Sequence, residues 1–195
     1  MKKAIVPLSF AACCVPLAWL AQGFLRNDLG PNPVDTLLNQ LGYFAFVLLV
    51  LTLACTPAQI LFKLNWPVRI RKLLGDFSFF YACLHLLTWT VLDQGMNVHD
   101  ILREIVKRKF ILLGISTFLL LLPLAITSTQ GWQKRLGFRR WKRLHRVVYL
   151  AGVLAGFHFL LRFKTVRIET VAWGSVVLFL LGVRLVNQLR TRPGA

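Results

Sequence analysis

Six apolar runs, at residues 4–25, 41–62, 73–92, 110–129, 144–161 and 170–189, take up most of this 195-residue chain. Each is roughly 20 residues long, the length an α-helix needs to cross ~30 Å of hydrocarbon at ~1.5 Å per residue. The polar stretches between them are short. Residues 26–40 (RNDLGPNPVDTLLNQ) hold a glycine and two prolines and read as a loop, 63–72 (KLNWPVRIRK) is basic, and 93–109 is of mixed charge. Residues 130–143 (QGWQKRLGFRRWKR) are the most basic, and a short loop with Arg162, Lys164, Arg167 and Glu169 precedes the last run. Pro57 and Pro123 fall inside apolar runs, where membrane helices tolerate them. The pattern predicts an all-α integral membrane protein, a six-transmembrane-helix bundle forming one domain over 1–195. Lys2 and Lys3 ahead of the first run raise a signal peptide as the competing reading. No clear small-x-small site follows and the run is long enough to span, so a retained helix is expected.

Composition excludes a soluble domain: 56% of residues are hydrophobic and the mean hydropathy is +0.62. The net charge of +17 invites a nucleic-acid partner, but the cations sit in short loops between apolar runs, the pattern of topology and lipid head-group signals. Nucleic acid is rejected on that ground. Sixteen of the 24 lysines and arginines fall at the N-terminus, in the second and fourth loops and at the C-terminal end, with one acid, Asp76. The other three loops hold eight cations and six acids. The positive-inside rule therefore places both termini in the cytoplasm. Lys134, Arg135, Arg139, Arg140, Lys142 and Arg143 are first such a signal and second a site for an anionic cofactor or an acidic partner. Trp66, Trp89, Trp132, Trp141 and Trp173 mostly fit the interfacial belt, and Phe77, Phe79, Phe80 and Tyr81 read as helix packing. Cys13, Cys14, Cys55 and Cys83 lie within apolar runs and form no CxxC, supporting neither a disulfide framework nor a zinc site.

Three of the four histidines sit in or at the ends of apolar runs. His85 is about 12 residues into the third run and His158 about 14 into the fifth, and both runs start on the inner side. The two imidazoles thus share a level toward the outer face. An intramembrane histidine is costly unless bonded or coordinated, and two at one depth on different helices can clamp a haem iron from both sides. The bland alternative is an interhelical hydrogen bond. Gly152 and Gly156 offer either clearance for a flat macrocycle or close helix packing. His145 lies at the inner end of the fifth run, thirteen residues before His158, which is ~19 Å along a helix and ~140° around it. The two cannot face one narrow seam without a bend. Arg71, fourteen residues before His85, lies at the level of His145. Arginine is a poor iron ligand but a good partner for a propionate, so His145 and Arg71 point to a second, inner haem or to the entry of electrons. His99, in the outer connector, reads as solvated.

Thr56-Pro57, RIRKLLG at 69–75, Leu84-His85, TSTQ at 127–130 and LHRVVYL at 144–150 followed by His158 carry a resemblance. Over nearly its whole length the chain resembles the MsrQ (YedZ) family, haem-binding membrane subunits of a bacterial methionine sulfoxide reductase system. More distantly it is similar to ferric reductase and NADPH oxidase membrane domains, in which paired histidines on the third and fifth helices hold two haems. Arg71 stands where that wider family places the inner histidine of the third helix. The resemblance implies haem b (one, with His145 and Arg71 as the place for a second) and FMN. It also implies the bacterial inner membrane and a periplasmic molybdopterin-dependent partner of the MsrP type. The electron donor is a cytoplasmic flavin reductase or quinol, because the chain has no Gly-rich phosphate loop for a nicotinamide nucleotide. A quinol-linked cytochrome b or a metal reductase is the neighbouring reading. A small transporter or scaffold with proton-relaying histidines is the reading without haem.

Overall fold

The computed structural model describes residues 4–162 and 168–190. Lys2, Lys3, Lys164, Arg167 and Arg192, which entered the charge count, lie outside the described residues. The regular elements of the described residues are all helical: α1 (Ile5–Leu25), α2 (Pro33–Phe62), α3 (Trp66–Leu87), a π-helical turn (Thr88–Asp93), α4 (Val98–Lys107), α5 (Lys109–Ile126), α6 (Gln130–Leu136), α7 (Phe138–His145), α8 (Val148–Leu161) and α9 (Ile168–Arg190). Five stretches are long and apolar enough to cross a membrane: α1, α2, α5, the α7–α8 stretch Phe138–Leu161, and α9. The third run differs from its prediction. Its helix begins earlier, at Trp66 with Pro67 in the first turn, and so adds Arg69, Arg71 and Lys72 to the Asp76 already in the run, which leaves α3 short of that measure.

Three other boundaries move for local reasons. The loop expected over 26–40 ends at Asn32, whose side chain accepts from the Asp35 N–H at 3.3 Å while Pro33 pre-sets the first turn of α2. The connector 93–109 contains α4, capped by the Asn97 side chain. The basic stretch 130–143 folds into α6 and most of α7, and the fifth run is broken at Arg146–Val147. A break in the helix thus falls between His145 and His158.

α2 is the shared wall of two cores. Its Phe46, Leu49, Val50 and Leu53 pack with Leu121 and Leu124 of α5, Ala151, Ala155 and Phe159 of α8, and Val177 and Leu180 of α9. Its Leu41, Leu48 and Cys55, seven residues apart, face Ile70, Leu74 and Tyr81 of α3 and Cys13 and Leu20 of α1. The first set recurs at three- and four-residue spacing and the second at seven, so two seams run down one apolar helix. Lipid is as apolar as leucine, so these seams are held by close packing and interhelical hydrogen bonds rather than by burial from water.

Two of those bonds repair proline defects. Near Pro16, the Tyr81 hydroxyl enters the ladder of α1, accepting from the Leu17 N–H at 3.1 Å and donating to the Cys13 carbonyl at 2.8 Å. Pro57 has no N–H for the Leu53 carbonyl four residues before it. Arg184 of α9 supplies the missing donor through Nη2 at 2.6 Å. A third bond, from Ser78 Oγ to the Ala45 carbonyl at 2.8 Å, ties α3 to α2 near the middle of the seam.

Candidate functional site

The Cα–Cβ bonds of a helix tilt toward its N-terminus, so the side chain at i+4 covers the carbonyl at i. A glycine at i+4 leaves that carbonyl open to a donor from another helix. This occurs twice here. Gly42 opens the Leu38 carbonyl of α2, which accepts from His85 Nδ1 at 2.8 Å, and Gly114 opens the Phe110 carbonyl of α5, which accepts from His158 Nδ1 at 2.6 Å. A Cβ on Gly42 would stand 2.8 Å from His85 Cε1, and one on Gly114 would stand 2.8 Å from His158 Cε1. Neither ring has room for it.

A carbonyl only accepts, so each Nδ1 carries the proton and each Nε2 keeps its lone pair, the form in which imidazole binds a metal. The two ring centroids are 6.2 Å apart. A metal–imidazole bond of about 2 Å on either side of one ion, with the half-widths of the rings, puts centroids roughly 6 Å apart. Both histidines line a cavity of about 440 Å³ between α2, α3, α5 and α8, walled by Phe46, Trp89 and Phe118 and with Arg108 and Arg162 also on its lining. A mainly apolar slot lined by two imidazoles, by Arg162 and by Arg108, which is itself paired with Glu104, suits a haem.

The structure thus brings His85 and His158 together, and it places His145 and Arg71 at the opposite ends of their helices. His145 Nε2 is 3.1 Å from Thr127 Oγ1, and the Thr127 hydroxyl donates its single proton to the Pro123 carbonyl at 2.6 Å. His145 is therefore the donor, with its proton on Nε2, the opposite tautomer to the cavity pair. Trp141 stacks on it at 4.1 Å between centroids and donates Nε1–H to the Thr127 carbonyl at 2.8 Å, so Thr127 holds both rings. Arg71 donates to Thr56 Oγ1 at 3.3 Å and, with Asp76, lies in electrostatic range of His145. This end offers one imidazole and a guanidinium, which does not fit a second bis-histidine haem. His99 is exposed on α4, 3.6 Å from the Asp100 carboxylate.

Of the two readings open for Gly152, packing holds, and the reading of Trp89 changes. Gly152 is a packing glycine: a Cβ there would meet Leu53 Cδ1 at 2.7 Å, and nothing lies within 4 Å of one on Gly156. The glycines that the histidines need are Gly42 and Gly114. Trp89, read with the interfacial tryptophans, is 9% exposed and belongs to the cavity wall.

Two opposed imidazoles in one cavity of a helical membrane bundle define the class, a bis-histidine membrane protein. The family model "Ferric reductase like transmembrane component" matches residues 41–156, a span that includes His85 and His145 and stops just short of His158. The heme-binding subunit MsrQ of protein-methionine-sulfoxide reductase from Rhodospirillum rubrum is 43% identical over 94% of this chain and 88% of its own length. MsrQ of Caulobacter vibrioides is 41% identical over 94% and 88%. Magnetosome protein MamZ of Magnetospirillum gryphiswaldense is 38% identical over 91% of this chain, which covers 28% of MamZ. The chain belongs to the ferric reductase-like transmembrane family, among its MsrQ members.

Proposed function

We propose that the chain is a haem b electron-transfer subunit of a bacterial inner membrane, standing between a cytoplasmic flavin or quinol donor and a periplasmic molybdopterin-dependent methionine sulfoxide reductase of the MsrP type. It does not itself reduce the sulfoxide. The observation that carries this reading is the pair of imidazoles 6.2 Å apart in one cavity, each with Nε2 left free of its proton by a carbonyl that a glycine leaves open. Held there, a haem supplies one-electron transfer. His85 and His158 would hold it through Nε2, the Leu38 and Phe110 carbonyls fix the rings and raise their basicity through the Nδ1–H bonds, and Trp89 and Phe118 wall the cavity against lipid and water.

Membership in the MsrQ family supports the reductase partner and the membrane location. Six crossings, with α3 and its π turn as the third, put both termini in the cytoplasm by the charge balance. That orientation sets the cavity toward the periplasm and His145, Arg71 and the basic α6–α7 toward the donor, where FMN would meet the protein. His145 and Arg71 serve the entry step on that side. The test is the visible spectrum of the purified protein. A low-spin b-type signal that either His85→Ala or His158→Ala removes or converts is the expected result, and a wild-type spectrum in both variants sinks the reading.

A further inference from the structure

Arg184 carries more charge than its surroundings answer. It is 8% exposed, and its Nε is the only buried side-chain nitrogen or oxygen among the described residues that has no partner. It lies six residues from the end of α9, about 9 Å along the axis, yet turns into the bundle instead of reaching for the interface. One nitrogen caps the Leu53 carbonyl, and the guanidinium lies over the Tyr149 ring at 4.9 Å. A carbonyl and a ring face stabilise a cation but do not neutralise it, and a guanidinium does not shed its proton. Isolated in a low dielectric, such a charge is costly.

No described carboxylate pairs with it. The one acid of this half of the bundle, Asp76, is held by Lys72 at 2.5 Å. On the same stretch of α2, Arg71 donates to Thr56, three residues beyond the Leu53 that Arg184 caps. The pair thus brackets Leu53–Pro57 with one buried and one exposed guanidinium and no anion. We propose that Arg184, together with Arg71, is a binding site for one oxyanion, a carboxylate or phosphate borne by a molecule resident in the inner half of the bundle. A haem carboxylate, a flavin phosphate and a phospholipid headgroup share this chemistry. The site is separate from the His85–His158 pair and does not rest on it.

Arg184→Met alone also uncaps Leu53 and is a poor test. Pro57→Ala restores an N–H to that carbonyl, so the double variant Pro57→Ala/Arg184→Met removes the cation while keeping α2 satisfied. Haem, flavin and phospholipid phosphorus are quantified per chain in detergent-purified wild type, Pro57→Ala and the double variant. The proposal expects Pro57→Ala to match wild type and the double variant to lose about one equivalent of one of the three, which names the source; Arg184→Lys should retain part of it. Unchanged contents of all three in a folded double variant overturn the site and leave Arg184 as a carbonyl cap only. The low-spin spectrum of the outer pair, read on the same samples, shows separately whether the haem reading itself stands.

Discussion

The imidazole planes of His85 and His158 are inclined at 77° to each other. Each ring is turned by the carbonyl its Nδ1 serves, and the two carbonyls belong to different helices, so the near-perpendicular setting is imposed by the bundle. Imidazoles crossed in this way, holding a haem iron between them, would leave the ferric orbitals close in energy. The low-temperature EPR spectrum should therefore show a highly anisotropic low-spin signal. A well-resolved rhombic signal, the mark of parallel rings, would mean that the rings turn on binding.

Gly42→Ala and Gly114→Ala should each push a ring off its carbonyl. Losing a support of that kind lowers metal-site affinity by roughly 10–100-fold. Haem per chain should fall, and what remains should include a high-spin fraction with one ligand lost. Gly156→Ala, with open space around its Cβ, is the control and should be silent. Full occupancy and an unaltered spectrum in both cavity variants would remove the glycines from the site.

His145→Ala should leave the low-spin spectrum of the outer pair intact, because its ring is committed to Thr127 and Trp141 and lies off the cavity. Reduction by a flavin donor should slow, while dithionite reduces the protein as in wild type. Arg71→Ala should show a milder form of the same defect. Stopped-flow reduction followed in the visible band makes the comparison. Abolition of all haem binding by His145→Ala would make His145 a ligand of the same iron.

Reporter fusions test the orientation. A C-terminal fusion should read cytoplasmic and fusions within 93–109 periplasmic, since the cations crowd the opposite side. A cytoplasmic reading in that connector would invert the depth of every histidine.

The apolar runs and the levels of His85 and His158 were legible because span length and residue counting survive without knowledge of packing. Which helices face one another was not legible, and the glycines show why. Gly152 and Gly156 share a helix with His158, and a single helix suggests only its own residues as neighbours. The glycines that matter sit on α2 and α5, across the cavity. A signal was there: Gly42 and Gly114 lie in the first turns of their runs, at the level the charge count gives the histidines, and the depth count applied to imidazole applies equally to small residues. The start of α2 was lost differently. The polar stretch before residue 41 hid an Asn-Pro-x-Asp start in which cap and first-turn proline outweigh the lack of apolar residues. The two tautomers depend on partners 47, 48 and 18 residues away, beyond any local pattern.

Leu53 and Arg184 stand 131 residues apart in the chain. At ~5–20 residues per second, translation separates their synthesis by roughly 7–26 s. Throughout that interval the nascent α2 lies in lipid with a carbonyl that its own proline has left without a donor, a defect worth several kcal/mol in hydrocarbon. Only the last helix cures it. A chain that stalls or is cut before α9 therefore keeps an unsatisfied polar group in the middle of its second helix, and membrane quality control has a chemical mark by which to tell an unfinished subunit from a complete one.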